Sequence, residues 1–232
     1  GDDTVRSLVP EFGRKTILVG EKEESDIRVI NIKSDVLRTK FSVRQKNFND
    51  LEITLPMPGK HNVINSLFAV AVARELGVVD ESIKQGLLKY KGVERRFQHH
   101  GVFSTNCGKE FKLIDDYGHH PTEIKVTLEA CKEAFPNQKI LLVFQPHRFS
   151  RTRDLFEEFI KVLSEVNSLI LLPVYAAGED EIIGTDSKTL ARSIRILKKV
   201  NPFVVSNEIE AIDMIFSILD SGDVLLLMGA GS

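Results

Sequence analysis

Apolar positions in the first sixty residues follow the pattern of short strands. Within this stretch, β-branched and alternating apolar residues between polar turns predict strands at 16–20, 26–32, 40–45 and 51–56. After a break rich in proline and glycine, apolar residues recur at helical spacing over 62–76, and Gly77 is predicted to end this helix. Asp80 is the predicted N-cap of a second helix at 80–90. These elements predict a small sheet followed by two helices.

Beyond Gly92, predicted strands and helices alternate. The strands are apolar throughout and are predicted at 111–117, 139–145, 168–174, 202–206 and 223–229. The helices between them are predicted at 121–135, 152–166, 187–197 and 208–219. Strands without a polar face are buried on both sides, which is typical of a parallel sheet with helices on both faces. The sequence therefore predicts an α/β fold: a Rossmann-like, mostly parallel sheet over 93–232, preceded by a partial domain over 1–92.

The composition of the chain excludes several classes of protein. With 232 residues, 42% hydrophobic and 28% charged, the chain is typical of a globular protein, and its net charge of −2 gives no basic excess for nucleic-acid binding. No apolar run approaches the ~18 residues of a membrane span. Cys107 and Cys131 are too few for a disulfide scaffold and predict reduced thiols in a cytoplasmic protein. Because the chain stops directly after an apolar strand and a glycine turn, we expect it to be part of a longer protein.

Polar clusters follow four of the predicted strands. Open parallel sheets bind ligands beyond the carboxyl ends of their strands. The sequence therefore predicts that these clusters converge on one edge of the sheet; they lie at 115–121, 145–153, 175–180 and 229–232.

The cluster at 115–121 combines two acids, a tyrosine and two histidines. A metal site is disfavoured there, because His119 and His120 would point to opposite sides of an extended chain. Asp115 or Asp116 satisfies turn N–H groups in one interpretation, and in another an acidic residue holds a ribose hydroxyl. The residues alone leave these interpretations open.

The cluster at 145–153 places three arginines and a histidine beside a predicted helix N-terminus. His147, Arg148, Arg151 and Arg153 are unfavourable there because the helix macrodipole already makes that end positive. An anionic ligand, carboxylate or phosphate, would compensate this charge. The alternative is a solvated cationic helix start.

Two arginines occupy the joint between the two predicted parts. Arg95 and Arg96 are candidates for binding nucleotide phosphates, or else belong to a charged surface linker. His99 and His100 are expected to be exposed.

The segment at 59–65 opens the first predicted helix. Asn62 and Asn65 are three residues apart, so both amides lie on one helix face, where they are able to contact a base. Asn62 as an N-cap is the alternative. The chain contains no complete phosphate-binding glycine loop, so it lacks the usual cradle for the β- and γ-phosphates of ATP.

Six segments of this sequence, taken in order, resemble the Mur ligase family. They read GKHNVIN, GVERRFQ, LIDDYGHHPTEIKVTLEA, FQPHRFSRTRDLFEEF, PVYAAGE and MGAGS. The resemblance implies that 1–92 is the latter part of a central ATP-binding domain and that 93–232 is most of a C-terminal amino-acid-binding domain. It also implies that the phosphate loop, the Mg²⁺ ligands and a UDP-sugar domain belong to N-terminal domains that this sequence does not include.

The resemblance further implies an activity. The motif pair DDYGHHPTE and FQPHR-x-x-RTRDLF is similar to that of family members that ligate L-alanine to UDP-N-acetylmuramate, with ATP and Mg²⁺, through an acyl phosphate in peptidoglycan synthesis. Carried over by position, Asn62 and Asn65 resemble adenine contacts, Arg96 a phosphate contact, and Asp116, with Asp115, a ribose contact. The residues that resemble the amino-acid and intermediate-binding set are Tyr117, His119, Arg148 and Arg151.

Two alternatives stand beside this interpretation. The chain is a non-catalytic nucleotide- or partner-binding module in the first, and belongs to the related ligase that reattaches recycled tripeptide in the second. The HRFSRTRDLF block argues against the recycling ligase, which is expected to lack it. The arginines of the segment QPHR-x-x-RTR argue against a mere binding module, because such a module has no need of an amino-acid site.

Overall fold

The computed structural model describes residues 3–231 and consists of two compact units. The first unit ends at Lys91 and the second begins at Gly92. None of the helices within the described residues is long and apolar enough to cross a lipid bilayer.

The first unit contains a four-stranded sheet and three helices. Helix α1 and a 3₁₀ turn at Val9–Glu11 precede the sheet, whose order is β1-β2-β3-β4. Strand β1 pairs parallel to β2, and the other pairs are antiparallel. The bounds are α1 Asp3–Leu8, β1 Val19–Gly20, β2 Ile27–Asp35, β3 Arg38–Gln45, β4 Leu51–Leu55, α2 Lys60–Glu75 and α3 Asp80–Leu88.

The core of this unit forms between one face of the sheet and α2. Ile27 and Val29 of β2 are buried, two residues apart as strand alternation requires. Val63 and Leu67 of α2 are four residues apart, so they share one face of the helix, and both are fully buried in the same cluster. Buried residues therefore recur every two positions in the strands and every three or four in the helix, and the two sets pack against each other in one core.

Arg74, near the end of α2, is a buried charged residue whose guanidinium donates three hydrogen bonds. Its Nε and Nη2 donate to the two carboxylate oxygens of Asp80 at 3.0 and 2.9 Å, and its Nη1 donates to Oε1 of Gln45 at 2.9 Å. The guanidinium also lies 4.4 Å from the centre of the Phe48 ring. Asp80 is therefore not the predicted N-cap: Val79 occupies that position, and the Asp80 carboxylate binds Arg74 instead.

The second unit contains a six-stranded sheet in the order β5-β6-β10-β7-β8-β9. Strand β5 is antiparallel to β6, and the other neighbours are parallel. The strands are β5 Gln98–Ser104, β6 Glu110–Asp116, β7 Ile140–Phe144, β8 Ser168–Leu171, β9 Phe203–Val204 and β10 Val224–Met228. The helices are α4 Pro121–Ala134, α5 Phe149–Asp154, α6 Phe156–Leu163, α7 Ser187–Ile196 and α8 Glu208–Ile218.

Helices cover both faces of this sheet, as its apolar strands require. All five residues of β7 are buried. Leu141 and Val143 share a core cluster with Ile215 of α8, whereas the Phe144 ring lies 5.7 Å from that of Phe159 in α6. The predicted α/β fold with a mostly parallel sheet is confirmed.

Three local expectations were wrong. Strand β5 is absent from the prediction because it is a largely exposed edge strand without an apolar alternation. The helix predicted at 152–166 is two helices, α5 and α6, with a break at Leu155. His99 is partly buried rather than exposed: its ring stacks on Phe135 at 6.1 Å, and burial lowers its pKa.

Breaking the Arg74–Asp80 pair is expected to destabilise the first unit. Asp80→Asn keeps the side-chain size but removes the charge opposite a guanidinium whose side chain is 1% exposed. A broken buried pair typically costs several kcal/mol, and because the Asp80 side chain is 35% exposed we expect a loss of about 2 kcal/mol. Urea unfolding followed by circular dichroism measures the change.

The matched control is Asp50→Asn, which breaks the exposed pair that Arg44 and Asp50 form at 2.6 Å. Exposed pairs contribute little, because water and salt screen them. An equal loss of unfolding free energy in the two variants would show that burial of Arg74 does not strengthen its contribution to stability.

Candidate functional site

The sheet order of the second unit brings four chain-distant strand ends together. Strands β6, β10, β7 and β8 are neighbours and parallel, so their carboxyl ends meet at one edge. Backbone bonds continue across that edge: Gly229 N donates to Asp116 O, and Gln145 N donates to Met228 O. We call the segments 115–120, 145–151, 175–179 and 229–231 the rim. Ser232, the end of the last predicted cluster, lies outside the described residues.

Asp116 is a structural centre of the rim. It is 4% exposed, and its carboxylate accepts hydrogen bonds from Phe97 N at 2.8 Å and from Gly118 N at 2.7 Å. A Cβ at Gly118 would lie 2.7 Å from Asp116 Oδ1 and 2.7 Å from Met228 Cε, so a larger residue would require both side chains to move. The interpretation in which an aspartate satisfies turn N–H groups thus describes Asp116, and its ribose contact stays a prediction.

Arg95 connects two segments of the rim. Its Nε donates to Asp115 Oδ2 at 3.1 Å, and its two terminal nitrogens donate to the carbonyl oxygens of Gly229 and Gly231 at 2.5 and 2.6 Å. The sequence made both Arg95 and Arg96 candidates for a phosphate contact, and the family resemblance selected Arg96, which is more exposed and has its Nη1 4.0 Å from Glu123. Arg95 therefore ties down the turn after β10, a role that only the sheet order reveals.

A row of four aromatic rings crosses the rim. The ring centres of Tyr117 and His119, of His119 and His147, and of His147 and Tyr175 are 5.5, 5.5 and 5.2 Å apart. Burial and the nearby charges of His119, Arg151 and Arg148 lower the pKa of His147, which favours the neutral form of its ring. Tyr175 was not among the site residues predicted from the sequence. Its backbone reaches the row because Tyr175 N donates to Pro146 O at 2.8 Å.

The adjacent histidines have different roles. The His120 ring accepts a hydrogen bond from Thr122 N at 3.2 Å and caps α4, whereas Nδ1 of His119 lies 3.0 Å from Tyr117 O. Backbone N–H groups of both histidines donate to Oε2 of Glu123. Burial raises the pKa of Glu123, but these bonds and the charges of His119 and Arg96 outweigh it and lower the pKa. Within residues 3–231 no three His, Cys, Asp or Glu side chains group as metal ligands.

Glu179 compensates part of the positive charge at the start of α5. Arg148 precedes the helix in the left-handed region, at φ 73°. The Glu179 carboxylate accepts from Ser150 N at 2.9 Å and from Ser150 Oγ at 2.6 Å, and lies 3.6 Å from Nη1 of Arg148. These bonds and the Arg148 charge lower the pKa of Glu179. The protein itself therefore supplies some of the charge that the sequence analysis expected from a ligand.

Arg151 remains as a cation aimed at the rim. Its Nη1 lies 3.3 Å from His147 O, and no carboxylate of the described residues forms an ion pair with it. Arg153, by contrast, pairs with the neighbouring Asp154 at 2.8 Å. Among these arginines, Arg151 is the one best placed to bind an anion.

Asn62 and Asn65 belong to the first unit, on the first turns of α2. Gly59 is the N-cap, at φ 93°, so the interpretation of Asn62 as the N-cap is wrong. Instead, Nδ2 of Asn62 donates to Pro58 O at 2.7 Å. Asn65 is exposed, and the adenine contacts of both residues stay predictions.

The Glu179 contact is expected to be lost in acid. A carboxylate whose pKa is lowered by folding stabilises the folded state above its ordinary pKa of 4.5, and this contribution fades as the pH falls through the lowered value. We therefore expect the Ser150 amide resonance to keep its position at neutral pH and to shift only at a pH below 4.5. An NMR pH titration measures this.

Glu179→Gln should abolish that acid transition at Ser150. The matched control is Glu181→Gln in the same loop, where the side chain is exposed. A Ser150 transition that persists in Glu179→Gln, or one that disappears in Glu181→Gln, would contradict the assignment.

Comparison with known proteins assigns both units to one family. Residues 95–231 match the family described as Mur ligase, glutamate ligase domain, and residues 1–73 match the Mur ligase middle domain. The first match lies in the second unit and the other in the first.

Solved structures show the same fold. The UDP-N-acetylmuramate-alanine ligase MurC of Thermotoga maritima is 27% identical with a TM-score of 0.75, over 93% of this chain and 45% of that chain. The MurF ligase of Thermotoga maritima in complex with ADP is 18% identical with a TM-score of 0.70, over 98% of this chain and 48% of that one. A murein peptide ligase of Psychrobacter arcticus is 20% identical with a TM-score of 0.58, over 92% and 43%.

This chain thus spans less than half the length of these three proteins. The family matches together extend over most of its residues and confirm the resemblance seen in the sequence. The chain belongs to the Mur ligase family.

Proposed function

We propose that this chain is part of an ATP-dependent ligase that joins L-alanine to UDP-N-acetylmuramate, a step of peptidoglycan precursor synthesis. The observation that carries the proposal is the rim, where Nη1 of Arg151 lies 3.4 Å from Nδ1 of His147, Arg148 is near the same ring, and the His147 ring is 5.5 Å from that of His119. The choice of L-alanine is supported by the 27% identity to a UDP-N-acetylmuramate-alanine ligase.

The charges of the rim suit the reactants. Both the α-carboxylate of an amino acid and an acyl phosphate are anions, and arginine binds such groups through its planar fork. Arg151, which lacks a carboxylate partner among the described residues, is the first candidate for this contact. Arg148 already forms an ion pair with Glu179. We therefore assign Arg148 a weaker contact with the same anion.

The proposed nucleotide contacts fit the structure unequally. Asp116 already uses both carboxylate oxygens for backbone N–H groups, whereas the Asp115 side chain is 20% exposed and, within residues 3–231, its carboxylate is bound only by Arg95. We therefore assign the ribose contact to Asp115 first. Asn62 retains its amide oxygen for an adenine contact because only its Nδ2 is committed, Asn65 is exposed, and Arg96 stays the proposed phosphate contact.

Magnesium has no proposed ligand in the described part of this chain. Residues 3–231 contain no group of three His, Cys, Asp or Glu side chains placed to hold a metal ion, and the sequence has no phosphate-binding glycine loop. We expect both in the remainder of the protein.

The proposal predicts where activity will be found. This chain alone should release no ADP with UDP-N-acetylmuramate, MgATP and L-alanine, because the γ-phosphate has no cradle. The protein translated from the whole reading frame should release ADP only when all three are present. A coupled ADP assay on both proteins measures this.

Each other outcome identifies an alternative. Turnover by this chain alone would contradict the need for further segments. Activity with a tripeptide but not with L-alanine would indicate the recycling ligase. If neither protein releases ADP, although circular dichroism shows that both are folded, the result would indicate a binding module.

A further inference from the structure

Amide formation from an amino acid requires the loss of a proton that the binding contacts do not explain. At neutral pH the amino group is an ammonium ion and has no lone pair. It must give up a proton before its nitrogen can attack an acyl phosphate. Some group near the site has to accept that proton.

The hydrogen bond of His119 leaves one ring nitrogen able to do so. Nδ1 lies 3.0 Å from the carbonyl oxygen of Tyr117, and because a carbonyl oxygen can only accept, Nδ1 carries the hydrogen. In the neutral ring the lone pair is then on Nε2. This nitrogen makes no hydrogen bond to any other residue of the described chain. A backbone carbonyl that fixes the tautomer is a common device for orienting a histidine base.

The other bases of the rim are committed elsewhere. Nδ1 of His147 faces Nη1 of Arg151 at 3.4 Å, and a guanidinium can only donate, so the His147 lone pair points at a cation. Glu123 accepts from two backbone N–H groups, and Glu179 accepts twice from Ser150. The two aspartates are engaged as well, Asp115 by Arg95 and Asp116 by backbone N–H groups.

We propose that Nε2 of His119 is the general base that takes a proton from the ammonium group of the incoming amino acid. This inference rests on the proposed function. The N–H bond breaks, its electron pair stays on nitrogen, and the proton bonds to Nε2. The lone pair then forms the C–N bond, the bond from the carbonyl carbon to the phosphate oxygen breaks, and the departing phosphate takes the second N–H proton.

The surroundings of His119 suit a ring that gains charge for part of each turnover. Oε2 of Glu123 lies 3.8 Å from Nδ1, so the imidazolium meets a carboxylate on its protonated side.

A reaction with hydroxylamine distinguishes a role of His119 as general base from a role in binding. Hydroxylamine is unprotonated at neutral pH and attacks an acyl phosphate without a base, giving a hydroxamate. The test uses the complete protein with UDP-N-acetylmuramate and MgATP, and compares amide formation from L-alanine with hydroxamate formation from hydroxylamine. The variant is His119→Asn, whose amide nitrogen is able to replace Nδ1 as the donor to Tyr117 O.

We expect His119→Asn to lose amide formation by about 100-fold or more, the usual contribution of a general base, and to form hydroxamate at close to the wild-type rate. Retained hydroxamate formation also shows that the variant is folded. The matched control is His120→Asn, which keeps a cap for Thr122 N and should retain both reactions.

Two results would overturn the assignment. An equal loss of both reactions would give His119 a structural or binding role, and retained amide formation would exclude it as the base. If the wild-type protein forms neither product, the proposed function itself fails, and this outcome differs from both.

Discussion

The position of the last strand is the constraint on which the candidate site depends. Strand β10 inserts between β6 and β7, parallel to both, although more than a hundred residues of chain separate it from β6. This insertion makes neighbours of the segments that follow β6, β10, β7 and β8. Arg95 then locks the arrangement by binding Asp115 and the two glycine carbonyls after β10. Without β10 in the middle, these polar segments would not meet.

A carboxylate of the protein itself compensates part of the positive charge of the rim. Arg148 and Arg151 stand near a helix start that already favours anions, and Glu179 offsets Arg148 while it holds Ser150. Arg151 keeps its charge toward the rim. The adjacent histidines differ in a similar way: His120 caps α4, whereas Nδ1 of His119 lies 3.0 Å from Tyr117 O and we propose that its Nε2 serves the chemistry.

The sequence predicted the parallel sheet and its polar edge because both follow from local patterns. Five apolar strands between helices require burial on both faces, and ligand sites in such sheets lie at the carboxyl ends. The roles of Arg95, Tyr175 and Glu179 could not be predicted, because each depends on which loops the sheet order brings together. Asp80 was misassigned for a similar reason: its partner, Arg74, is buried by tertiary packing that a local capping pattern does not contain.

The most direct test of the central claim is the kinetic effect of Arg151→Ala in the complete protein, with Arg153→Ala as the matched control. The account predicts that Arg151→Ala lowers kcat/KM for L-alanine by about tenfold to a hundredfold, the value of a charge-assisted contact, and leaves the KM for ATP unchanged. Arg153, which pairs with Asp154, should be dispensable for both. Equal losses for L-alanine and ATP in Arg151→Ala, or no loss at all, would contradict the assignment of the rim as the amino-acid site.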